Sequence, residues 1–244
     1  MRVWPTFGLI VGLTVSHGWR CVLGVFLISI LCDGAAHLLD PVNLAIWDYE
    51  FGEAAADAFW SWPVFGHEVV SSLLISLWLV HEFGRLWPKL SRSQLSVDPR
   101  LFQAQVLVPF GVLGLAELGL NLLMQAAVTV ETEVAAYLAV FAAVILLFFS
   151  MFALLPLLVV ERTGWASYRQ SVKLSLQHFS VVYGAQALLF GCMLLVVFAL
   201  TIASMQVAAF GATILSLLLD RFVVENLGSA VGATLFTIGS LVIY

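Results

Sequence analysis

Apolar residues along this chain fall in long unbroken runs separated by short polar punctuation, and one stretch departs from that pattern. Phe152 to Val160 is wholly apolar and contains Pro156, Glu161-Arg162-Thr163-Gly164 turns the chain, and then Trp165, Tyr168, Val172, Leu176 and Phe179 recur at three- and four-residue steps. That step is the helical period, so these five side chains share one face. Arg169 and Lys173, four apart, lie on the other side beside Gln170 and Gln177. An apolar stripe with aromatic residues, backed by basic ones and joined to apolar runs, predicts an amphipathic helix over about 165–178 lying in the membrane surface.

The unbroken runs predict six transmembrane helices, at about 21–39, 64–86, 102–128, 134–160, 180–204 and 228–244. The run Leu9 to Val15 is too short to span and lacks a small-residue cleavage site after it, so Met1 to Trp19 reads as an interfacial lead-in. Asp40-Pro41 ends the first span, and the loop to Pro63 is acidic and aromatic with no Lys or Arg. The apolar run Val207 to Leu219 is short, and reads as a re-entrant or surface helix or as a seventh span, six being preferred. Gly228-Ser-Ala-Val-Gly232 predicts close helix packing at the start of the last span.

Orientation follows from the charges. With both termini cytoplasmic, Arg2, Arg20, Arg85, Lys89, Arg92, Arg100, Arg162, Arg169 and Lys173 lie inside, which is nine of the ten basic residues, and the outer loops hold nine of the fifteen acidic ones. The expected setting is a prokaryotic cytoplasmic membrane. A composition of 62% hydrophobic and 10% charged residues exceeds what a soluble surface tolerates, so the expected fold class is all-α, a single polytopic membrane helical bundle. The net charge of -5 is segregated across a bilayer rather than gathered into a basic patch, which gives no footprint for nucleic acid. Cys21 and Cys32 stand roughly 16 Å apart on one helix, too far to bridge, and with Cys192 read as buried reduced thiols.

The central stretch resembles a family of bacterial and archaeal membrane proteins named after the membrane domain attached to some glycerophosphodiester phosphodiesterases. Leu155-Pro156, Glu161, Gly164, Ser167, Ser171, Lys173 and Leu174 carry the resemblance. Ser167 stands where alanine is usual and His178 where glycine or asparagine is common. The resemblance covers about 30 residues and implies an accessory membrane module that handles lipid or scaffolds a partner. No segment is able to hold the phosphodiesterase catalytic domain.

Ionisable groups inside a bilayer are costly and each needs a reason. Glu117, Asn121 and Gln125 follow at four-residue steps, and read either as a polar track for a proton or small solute or as an interhelical hydrogen-bond seam. Asp33 and His37 share a depth with His67 and Glu68, a set that would suit a divalent metal or serve as interfacial polar residues. Neither His67-Glu68 nor His81-Glu82 reaches a second histidine, because Ser71 and Arg85 occupy those places in the zinc protease pattern. His67 and His81 lie 14 residues apart, roughly 21 Å of rise on nearly one face, an interval that resembles the paired haem ligands of membrane b-type cytochromes. Arg85, Lys89, Arg92, Arg162, Arg169 and Lys173 would attract anionic lipid, or simply mark the inner side.

The expected function is a non-catalytic scaffold or accessory subunit of a membrane assembly, in contact with the lipid bilayer and other membrane subunits, without a cofactor. A small transporter using the Glu117 track and a haem b electron carrier are the rival classes.

Overall fold

Backbone groups in hydrocarbon have no water to bond, so a chain of this composition must satisfy them internally, which helices do. The computed structural model describes residues 2–49, 53–90, 104–127, 138–139, 142–143, 146–147, 149–161, 163–209, 223–224 and 226–244, and they are helical almost throughout, with no strand among them. In chain order the helices are α1 (Val3–His17), α2 (Trp19–Leu39), α3 (Pro41–Tyr49), α4 (Glu53–Phe59), α5 (Trp62–Leu90), α6 (Ala104–Ala127), α7 (Leu154–Pro156), α8 (Ala166–Gln177), α9 (Phe179–Ala209) and α10 (Asn226–Ile243). α7 runs directly into a π-helical turn, Leu157–Glu161.

Three of these helices are long and apolar enough to cross a membrane among the described residues: Trp19–Leu39, Trp62–Leu90 and the Phe179–Ala203 part of α9. They coincide with the first, second and fifth predicted spans. The third and last predicted spans fall on α6 and α10, whose apolar stretches, Val106–Ala116 and Asn226–Val242, are shorter. The fourth, predicted as one span over 134–160, is broken: its residues before 149 are only partly described, and Met151–Ala153 form a turn before α7. Pro156 supplies the reason. It has no N–H and its ring opposes the carbonyl of residue 152, so a helix restarts just before it instead of running through. The run Val207 to Leu219 lies largely outside the described residues.

α10 is the axis of the bundle. It packs on α1, α2, α5, α7 and α9, and Phe236 to Leu241 are all buried. Hydroxyls on its inward face are satisfied by its own backbone: Thr234, Thr237 and Ser240 donate to the carbonyls of Ala230, Ala233 and Phe236 at 2.8, 2.9 and 2.8 Å. The predicted close packing at Gly228 and Gly232 is observed against α9, where an added Cβ would meet Val197 at 3.2 Å and Met193 at 3.1 Å. Between α2 and α5 the approach is closer still. A Cβ on Gly24 would lie 2.1 Å from the Trp78 ring, so the indole occupies the space of the missing side chain.

Three expectations change. α1 is a helix packed on α9 and α10 with Ile10 fully buried, where the sequence suggested a lead-in lying at the interface. The acidic segment after α2 is folded into α3 and α4, and Phe59 with Ala58 packs onto Ala36, Val64 and Leu118. Asp40 starts α3 by accepting from the Asn43 side chain at 2.9 Å and its N–H at 3.3 Å, with Pro41 behind it in the first turn. All three cysteines are free, but only Cys21 is buried, Cys32 is partly buried and Cys192 is exposed on α9.

Candidate functional site

The helix predicted to lie at the surface is present as α8, but its anchoring face is not the apolar one. Ser167, Ser171 and Ser175, at four-residue steps, are completely buried. Trp165, Leu176 and Phe179 are 59%, 62% and 57% exposed, while Tyr168 and Val172 are half-buried on the flank. Arg169 and Lys173 are exposed beside them. The serines bind the break in the preceding helix. Ser171 Oγ accepts the Ala153 N–H at 3.2 Å and donates to the Ser150 carbonyl at 2.8 Å, and Ser175 Oγ donates to the same carbonyl at 2.8 Å. The Ser150 hydroxyl in turn pairs with Tyr183 at 2.7 Å.

The same helix reaches a second proline-bearing segment, which is continuous. Pro109 stands inside α6, and the Tyr168 hydroxyl donates to its carbonyl. Burial pushes the Tyr168 phenol above its usual range, with a smaller opposing contribution from the Leu113 backbone. Gly164 makes the turn into α8 with φ +54, a left-handed conformation that costs an L residue about 1–2 kcal/mol. Thr163 closes the corner by pairing with Ser167 at 2.6 Å. α8 is thus fastened by hydroxyls on one side and presents aromatic, aliphatic and basic side chains on the other.

Two further polar clusters join helices. Asp33 of α2 lies 2.8 Å from His67 Nε2 of α5 and accepts from Asn226 Nδ2 of α10 at 2.7 Å, with Glu68 4.0 Å from the other ring nitrogen. The structure therefore brings together Asp33, His67 and Glu68 of the predicted set, and adds Asn226. His37 is exposed at the end of α2. Among the described residues no three His, Cys, Asp or Glu side chains gather as a metal site. Of the two histidines at the haem interval, His67 turns Nε2 to Asp33 and His81 packs against Trp78 with ring centroids 5.6 Å apart.

The second cluster centres on Glu82, a residue the sequence reading passed over. Glu82 is fully buried, accepts from Arg85 Nε at 2.9 Å and Nη2 at 2.6 Å, and has Arg20 Nη2 of α2 at 3.9 Å. The spacing Glu82-x-x-Arg85 on one helix face was the available signal; Arg20 was not foreseeable without the α2–α5 contact. Lys89 is exposed one turn further on. Glu117, Asn121 and Gln125 fall on α6, but their side chains lie outside the described set, as do Arg92 and Arg162 altogether.

No family model, curated protein or solved structure matches the chain. The resemblance noted above rests on residues 152–179 alone. What stands independently is the class: an all-helical, membrane-embedded protein.

Proposed function

We propose that this is a non-catalytic multi-pass protein of a prokaryotic inner membrane, both termini cytoplasmic, that serves as a scaffold or accessory subunit and holds anionic lipid along α8. The observation that carries the reading is the outward face of that helix. Trp165 and Leu176 are exposed next to Arg169 and Lys173, on a helix whose opposite face is fixed to the preceding segment by two buried serines, Ser171 and Ser175. Apolar side chains at the level of the acyl boundary with basic ones at the headgroups is the arrangement of an interfacial helix on an anionic leaflet. Anchoring by hydroxyls leaves Trp165, Leu176 and Phe179 exposed for lipid, while Tyr168 and Val172 pack on the edge of the core.

Each basic residue near an anionic surface contributes about 1 kcal/mol. In nanodiscs containing phosphatidylglycerol, Arg169→Glu with Lys173→Glu is expected to lower the anionic lipid retained per chain at least threefold after mild extraction. Equal retention by the double variant refutes the lipid reading. Native mass spectrometry of the protein from its own membrane tests the subunit role, which requires added mass from another polypeptide.

A further inference from the structure

Glu82 gathers two guanidiniums and neutralises one. Arg85 gives both its Nε and its Nη2 to a single oxygen, Oε2. The other oxygen, Oε1, is buried without a hydrogen-bond partner, and Arg20 stands 3.9 Å from it, beyond hydrogen-bond reach. Among the described residues Arg20 makes no hydrogen bond and Arg85 Nη1 is uncommitted. The side chains of Arg20 and Arg85 are 46% and 21% exposed, so a partly desolvated pair keeps one uncompensated positive charge.

We propose that Arg20 and Arg85, positioned by Glu82, form a headgroup site for the phosphate of an anionic phospholipid. The proposal rests on the reading of the chain as a lipid-holding membrane protein but uses none of the α8 residues. The two guanidiniums sit on opposite oxygens of one carboxylate, close enough for one phosphate to present an oxygen to each. Guanidinium forks match phosphate oxygens in pairs, which a compact ammonium does not. The depth is right for a headgroup. Trp19, beside Arg20, is exposed, Lys89 lies one turn beyond Arg85, and Trp87 packs against Tyr244 with ring centroids 6.1 Å apart. Aromatic and basic side chains at one level mark the membrane interface. Glu82 is a positioning residue, holding Arg85 by its Nε edge.

The test uses the full chain in mild detergent, titrated with phosphatidylglycerol and read by native mass spectrometry. Arg20→Gln is expected to weaken phosphatidylglycerol binding about tenfold, and Arg85→Lys by a similar factor because the fork is lost. Arg20 is half-exposed and keeps only a 3.9 Å ion pair to Glu82, so its replacement is expected to lower the melting temperature by a few degrees at most, and binding is compared where both proteins are folded. Arg169→Gln with Lys173→Gln leaves this binding event in place, which separates failure of the α8 reading from failure of this one. Undiminished affinity in Arg20→Gln overturns the site. Equal occupancy by soluble sn-glycerol phosphate overturns the lipid as its source.

Discussion

The Ser171 hydroxyl spans a broken helix by bonding in both directions, accepting the Ala153 N–H at 3.2 Å and donating to the Ser150 carbonyl at 2.8 Å. A continuous helix would have paired those groups within its own backbone; here one side chain from α8 takes the place of a turn. Ser171→Ala leaves a buried N–H without its partner, and is expected to destabilise the protein by about 1–3 kcal/mol. Ser175→Ala is expected to cost less, because Ser171 still serves the Ser150 carbonyl. Thermal unfolding of both variants in one detergent measures the order, and an equal loss would contradict it.

Gly24 of α2 leaves room for the Trp78 indole of α5, which lies 2.1 Å from where a Cβ would stand. Gly24→Ala forces the indole to move, and overpacking of this kind costs about 1–3 kcal/mol. Pairing Gly24→Ala with Trp78→Phe is expected to recover part of the loss. Strict additivity in that double-mutant cycle would show that the two do not compete for space.

The contact of Asp33 with His67 and Asn226 joins three helices. Asp33→Ala removes the acceptor for both and is expected to destabilise by about 2 kcal/mol. A cycle with His67→Ala should give a coupling of at least about 0.5 kcal/mol, the lower end for residues in one network. Coupling near zero would mean that the pair is bridged weakly in solution.

Tyr168 links α8 to Pro109, and burial raises its phenol pKa. The folded value lies above the unfolded one. Its contribution is therefore complete below the unfolded pKa of about 10 and disappears as pH rises through the folded value. Tyr168→Phe is expected to lower the melting temperature at pH 8 and to flatten the alkaline fall of stability seen by thermal scans from pH 8 to 11. An unchanged alkaline limb in Tyr168→Phe would assign that fall to other groups.

Asp40 behaves in the opposite sense. The Asn43 side-chain amide, more than its backbone N–H, holds the Asp40 carboxyl below the usual range. Its support for the start of α3 is present above the ordinary aspartate pKa of about 4 and lost as pH falls through the lower folded value. The protection factor of the Asn43 amide is expected to fall in wild type under acid and to be low at every pH in Asp40→Ala; equal protection in the two at neutral pH would contradict the cap.

Much of the helical plan was legible from run length alone. α2, α5 and the apolar part of α9 are long and continuous, so composition and length coincide. The fourth span was misread because run length does not register a break that remains apolar: Met151 to Val159 are all buried, and only Pro156 hinted at the restart. What the sequence reading of α8 left out was its serine face: in a bilayer lipid accepts the apolar side, and buried backbone groups claim the hydroxyls. Ser167, Ser171 and Ser175 carry an equally regular four-residue repeat. Among the chemical candidates, Asp33 with His67 is legible as a match of depth, while Glu82 is not, because the sequence ties Arg85 to lipid and topology and does not show the α2–α5 contact that brings Arg20 to the same carboxylate.

Because α10 is the axis on which α1, α2, α5, α7 and α9 converge, the order of synthesis runs against the order of packing. The ribosome delivers the outer staves first and the central post after them. Until Asn226 to Ile243 leaves the exit tunnel, α2 has α5 and α1 has α9 to pack against, but neither has the central helix, and Asp33 has no Asn226 to receive. Completion of the bundle of described helices is therefore a late event. A chain stalled before residue 226 would sit in the bilayer as a loosely paired set of helices, open to quality-control proteases.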